Sequence, residues 1–224
     1  TPTPPPPIPL RLVGSEMCIR DSNNIDYWQS AKEAIAVAKQ LGNHVILLGT
    51  SHGGSLSLSL GTDPSIKAIC LFGPNISVFD PFSKLLSRPW GLQIARLVKG
   101  GNYHIWENAT LEKKKFWTTK TRLESVTHMQ KFLDLKMRKS TFEKINKPLF
   151  MGYYYKNDSL QDKVVSVEAM LKMFDQLGTS KNLKVKKAFP NANDHVITSY
   201  LNGDNYVKVT EEVISFLNRV LDIK

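Results

Sequence analysis

Residues 44–54 read HVILLGTSHGG, and this stretch decides the fold. His44–Leu48 is a short apolar run held between Gly42 and Gly49. Such a run reads as a strand buried on both faces, the kind found in parallel sheets. Ser55–Leu60 reads as the helix that follows. Between them stands Gly49-Thr50-Ser51-His52-Gly53, a G-x-S-x-G pattern continued by Gly54. Three fixed positions recur by chance in about one chain of this size in fifteen. The pattern therefore carries weight through its setting. A serine on a tight strand-to-helix turn is held in a strained conformation, with its hydroxyl exposed above the sheet. Flanking glycines are needed because side chains there would collide across the turn. The helix N-terminus beneath favours developing negative charge. The backbone N–H of His52 is the expected oxyanion donor, and Ser51 the expected nucleophile. The ring of His52 adjoins Ser51 in sequence and should project away from the hydroxyl, which gives it a structural role.

Outward from this turn, strands and helices alternate. Asp26–Leu41 has helical spacing, with Tyr27, Ala31, Ala34, Ile35 and Ala38 on one stripe, Asp26 as N-cap and Gly42 at the end. Ile66–Phe72 and Pro148–Tyr155 read as apolar strands and Leu183–Phe189 as a short one. Val165–Leu177 and Tyr206–Leu221 read as helices. Alternation of this kind predicts an α/β fold, a parallel sheet with helices on both faces. The stretch 80–147 interrupts it with helix formers, lysines and tryptophans and no clear strand.

The chain resembles the α/β-hydrolase superfamily, in particular its carboxylesterase, monoacylglycerol-lipase and serine-aminopeptidase-like members. The resemblance spans roughly Ile25 to Leu221. It rests on GTSHGG at the turn, KPLFMGYYYKNDSLQDKVVS at the next-to-last strand and AFPNANDHVI after the last. It implies catalytic residues in the order Ser, acid, His. The acid then belongs just after Pro148–Tyr155, where Asp158 and Asp162 stand. Asp162 is preferred, because family acids precede a short apolar pair such as Val164-Val165, and Asp158 is the reserve. The base belongs after the last strand, where His195 lies. His44, His104 and His128 fit that place poorly, and Asp194, adjacent in sequence, cannot orient His195. The implied activity is hydrolysis of carboxylic esters, monoacylglycerols or other lipid-like esters among them, through an acyl-enzyme and with no metal or organic cofactor. A peptidase or amidase with the same triad, or a non-catalytic binding protein of this fold, remain the alternatives.

Composition narrows the classes further. Two cysteines, Cys18 and Cys70, offer neither a disulfide framework nor a zinc spacing. No apolar run approaches the roughly 18 residues of a membrane span. Of a net charge of +10, the insert 80–147 carries +9, with fifteen basic and six acidic residues. In the related hydrolases a helical cap, or lid, occupies this place. Trp90, Ile94, Leu97 and Val98 share one helical face there, and Trp106, Phe116 and Trp117 add apolar bulk. The expectation is a solvated basic face, Lys113–Lys115 included, over an apolar underside. A sharper version has the cap line an acyl pocket and make weak contact with an anionic membrane. No nucleic-acid motif accompanies the charge. Location is left open between the cytoplasm and a membrane surface.

Residues 1–22 stand apart. Pro4–Pro7 is polyproline-like, and Arg11–Ser22 resembles the conceptual translation of a sequencing adapter. A disordered Pro-rich leader is the other reading. The expected organisation is therefore a leader at 1–22, core with the nucleophile turn at 23–79, cap at 80–147, and core with acid and base at 148–224. On this view the chain is the C-terminal part of the sheet. The N-terminal strands and second oxyanion donor are missing, the edge of Val45–Leu48 is unpaired and turnover is weak.

Overall fold

The computed structural model describes residues 11–12, 24–106, 110–116, 118–202 and 205–221. In chain order, the first half comprises β1 (Arg11–Leu12), α1 (Asn24–Leu41), β2 (Val45–Thr50), α2 (His52–Leu60) and β3 (Ile66–Phe72). The insert follows as a 3-10 segment (Pro81–Ser87), α3 (Gly91–Lys99), β4 (Tyr103–Ile105), α4 (Leu111–Phe116), β5 (Lys120–Arg122), α5 (Leu123–Lys136) and α6 (Lys139–Phe142). The chain then returns to the core with β6 (Leu149–Tyr153), α7 (Val167–Asp175), β7 (Lys184–Ala188) and α8 (Asn205–Leu221). Cys18 and Trp117 lie outside the described residues, as do the rest of 1–22, apart from the backbone of Arg11–Leu12, and the side chains of Asp26, Tyr27, Lys113 and Phe116.

Five strands pair in parallel in the order β1-β2-β3-β6-β7. Period-two alternation sends neighbouring side chains to opposite faces, and both faces are apolar. Leu71, Met151 and Tyr153 pack on one side with Ile35 of α1, Leu58 of α2 and Met170 of α7. Cys70, Phe72 and Phe150 pack on the other with Val209, Val213 and Phe216 of α8. Burial pushes the Cys70 thiol up to about 12, so it is inert at neutral pH. The outer strand β7 is only half-buried and rich in lysine, which guards an exposed edge.

Three expectations need correction. The edge of β2 is not wholly bare, because the backbone of Arg11–Leu12 pairs with Leu48 and Gly49. The insert does hold strands: β4 and β5 form a short antiparallel ribbon. And α3 turns its apolar face to solvent rather than burying it as an underside: Leu97 is 84% exposed and Val98 75%.

Candidate active site

The turn after β2 is built as tightly as its glycines require. Ser51 has φ 52°, ψ −120°, a region that residues with a side chain rarely occupy. Backbone bonds to β3 and the loop after it hold it there. Its N–H donates to Phe72 O (3.0 Å), and its carbonyl accepts from Asn75 N (2.9 Å). A Cβ on Gly49 would meet Gly53 O at 2.5 Å, and one on Gly54 would meet Pro74 Cβ at 2.7 Å. Ser51 also occupies the N-cap of α2. A capping serine normally commits its hydroxyl to the first helical N–H groups. Here the backbone conformation prevents this, and the hydroxyl makes no capping bond.

Asp162 follows β6 and is 1% exposed. Its Oδ1 accepts from Val164 N (2.8 Å) and Val165 N (3.1 Å). Its Oδ2 lies 2.6 Å from His195 Nδ1. The loop is tied to the start of the insert by a bridge between Val78 and Val165 and by Phe79 N donating to Val164 O. The carboxylate is thus fixed before it meets the imidazole. Asp158 is exposed and accepts from Tyr155 O–H at 2.8 Å. Asp194 accepts from Val196 N at 2.9 Å.

His195 lies beyond β7, its side chain 10% exposed. With Nδ1 committed to Asp162, its Nε2 is buried and has no hydrogen-bond partner. The ring lies against Gly73, where a Cβ would come within 3.2 Å of Nδ1 and Cε1. Gly73 directly follows Phe72, whose carbonyl holds Ser51 N. Asp162 and His195 are thus joined directly, and Ser51 lies at the carboxyl end of β2, the sheet end at which ligands bind in open parallel sheets, with no hydrogen bond from Nε2 to its hydroxyl. The His52 ring turns into the protein, edge-on to Phe132 of α5 (5.2 Å between centroids). Burial lowers its pKa to about 4, so it is neutral. Its backbone N–H begins α2 beside Ser51.

Sequence reading missed Gly73 and Asn75. Gly73 has φ 50° and makes room for the imidazole. Asn75 is buried, braces Ser51 through its N–H and accepts from Ser55 Oγ (2.5 Å). Its Nδ2 reaches Met129 Sδ of α5 (3.7 Å), and its Oδ1 has no partner. The Gly73-Pro74 pair after a strand was the available signal, since it marks a constrained turn.

Solved structures place this architecture. One belongs to LipS and LipT, two metagenome-derived lipolytic enzymes, with TM-score 0.69 and 14% identity over 88% of this chain and 74% of that one. The chain has the α/β-hydrolase fold. A thermostable carboxyl esterase from Bacillus coagulans matches with TM-score 0.65 at 14% identity, over 89% of this chain and 73% of that one. A monoacylglycerol lipase from Paleococcus ferrophilus matches at 0.60 and 13%, over 87% and 76%. No family model and no curated sequence matches the chain. At this level of identity, the likeness of the α/β-hydrolase fold extends to architecture and leaves chemistry to the side chains.

Proposed function

We propose that this chain is a serine hydrolase of carboxylic esters, with monoacylglycerol-like esters as substrate class and Ser51, His195 and Asp162 as its catalytic residues. The observation that supports this most is the state of His195. One ring nitrogen is bonded to a buried carboxylate and the other is buried and unpartnered, while the ring packs against Gly73, next in the chain to the Phe72 that holds the strained Ser51 turn. A hydroxyl is a weak nucleophile until a base takes its proton. His195 Nε2 is the nitrogen able to do so, while Asp162 holds the tautomer and stabilises the imidazolium. Attack of Ser51 Oγ on the acyl carbon forms the tetrahedral intermediate, whose oxyanion faces the His52 N–H. Collapse expels the alcohol, protonated by His195, and leaves an acyl-serine. Water activated by the same nitrogen then releases the acid. The esterases and lipases among the structural neighbours agree with this reading. In it, residues 80–147 act as the lid: α5 reaches the core through Met129 on Asn75 and Phe132 on His52.

Fluorophosphonate labelling, with p-nitrophenyl butyrate hydrolysis alongside, tests the proposal. The parent chain should be labelled, and Ser51→Ala should lose both signals while keeping its circular dichroism. A folded parent that takes no label and cleaves no ester would refute it. Faster cleavage of a p-nitroanilide than of the ester would move the substrate class to amides.

A further inference from the structure

The helix α3 is built inside out. Trp90, Ile94, Leu97 and Val98 fall on one stripe at helical spacing. A surface helix normally lays such a stripe on the core. Here the inward side carries Arg96, which pairs with Glu124 of α5 at 2.5 Å. The apolar stripe faces water, and the neighbouring 3-10 segment adds Phe82, 74% exposed, and Leu85. Trp90 is 74% exposed and held at φ 65°, a left-handed conformation unusual for a bulky side chain. Apolar side chains clustered in this way on a surface mark an interaction site.

The charge around the patch states what it meets. Between the 3-10 segment and α5 lies an open groove of about 460 Å³ lined by Lys84, Ser87, Arg88, Lys131, Asp134 and Leu135. Lys84, Arg88 and Lys131 form no ion pair with a described residue, and Asp134 is engaged by Gln130 Nε2 at 2.9 Å. Three cations facing one carboxylate, Asp134, thus sit beside six outward apolar side chains, in a segment of net charge +9. A protein partner with an acidic rim could satisfy the cations. A bilayer with anionic headgroups satisfies both features at once, because acyl chains take the stripe while phosphates line the groove. Among the described residues no helix is long and apolar enough to cross a membrane.

We propose that the outer face of 82–98 docks on anionic lipid surface, with Trp90, Leu97, Val98 and Phe82 as apolar anchors and the Lys84–Arg88–Lys131 groove as the headgroup cradle. This stands independently of the hydrolase reading, since binding is measured without turnover. The full chain is sedimented with vesicles of phosphatidylcholine alone and with one quarter phosphatidylglycerol, at low and high salt. Two double variants accompany it. Trp90→Asn/Leu97→Ser keeps a residue that tolerates the left-handed conformation, and Lys84→Glu/Lys131→Glu reverses the groove. All these side chains are exposed, and circular dichroism confirms folding. Expected is co-sedimentation with the anionic vesicles, weakened by salt, and a drop in partitioning of about tenfold or more in each variant. Equal recovery on neutral and anionic vesicles overturns the proposal, as does undiminished binding by either variant. So does a concentration-dependent dimer, abolished by Trp90→Asn/Leu97→Ser, in a chain that ignores vesicles. That outcome would assign the face to a second copy.

Discussion

The two carboxylates after β6 differ in what surrounds them, and that difference predicts their roles. Asp162 is buried, takes two backbone N–H groups on one oxygen and faces His195 with the other. Asp158 is exposed and holds a tyrosine hydroxyl. Asp162→Asn can keep the bonds to Val164 and Val165 while losing the tautomer control, so ester turnover should fall on the order of 10⁴-fold. Asp158→Asn should change it less than twofold. Steady-state assays of both variants decide which acid serves. His52 gives a second prediction at this scale. Its folded pKa is lowered to about 4 by burial, below the ordinary value of 6.5. Between those values the unfolded chain binds the proton that the folded chain refuses. The contribution is therefore complete above about pH 6.5 and declines as the pH falls toward 4, by up to about 1.4 kcal/mol per unit. His104 is lowered in the same direction, so parent and variant must be compared. His52→Leu should flatten the urea midpoints between pH 7 and 4.5; an unchanged slope would show that the ring titrates freely.

Among the elements, those with a regular apolar period were legible, and those shaped by a neighbour were not. The strands Ile66–Phe72 and Leu149–Tyr153 stand where apolar runs predict them, because burial on both faces requires such runs. The three residues of β4 are all exposed and those of β5 no more than half-buried, so no buried face imposes an alternation that could be read. The start of α2 was misplaced to Ser55, since Gly53-Gly54 argues against helix. Packing overrides that propensity: the helix begins at His52, and Gly54 lies where a methyl would strike Pro74. The stripe on α3 was read correctly as a stripe and wrongly as an underside, because periodicity gives a face and not its partner. The turn itself offers the test. Gly49→Ala would drive a methyl to 2.5 Å from Gly53 O, a backbone atom that cannot swing aside. The expected cost is about 1–3 kcal/mol in urea unfolding. Fluorophosphonate labelling should fall even where the variant is fully folded, since the turn must open to accept the methyl. Unimpaired labelling would mean that the turn is slacker than its geometry.

Across the whole molecule, the sheet divides its apolar load unevenly. One face is covered by α1, α2 and α7, while the other rests largely on α8. On that second face Phe216 of α8 stacks against Phe150 of β6 at 5.8 Å, and Ala192 and Ile197 of the His195 loop belong to the same cluster. The base is therefore positioned by the packing that holds the last helix on, some twenty residues further along the chain. Phe216→Ala should cost about 3–5 kcal/mol in urea unfolding, a large part of the 5–15 kcal/mol typical of a domain. It should also slow labelling under conditions where circular dichroism shows the chain still folded, because the cavity lies beneath the loop that carries the imidazole. Leu97→Ala, which removes an apolar side chain of the stripe facing water, should stay within about 0.5 kcal/mol of the parent. The pair separates two uses of apolar surface in one chain: α8 holds the sheet together and sets the base, whereas the outward stripe of α3 adds little to folding. A large loss from Leu97→Ala would place that stripe inside the molecule and remove the surface from which lipid docking was inferred.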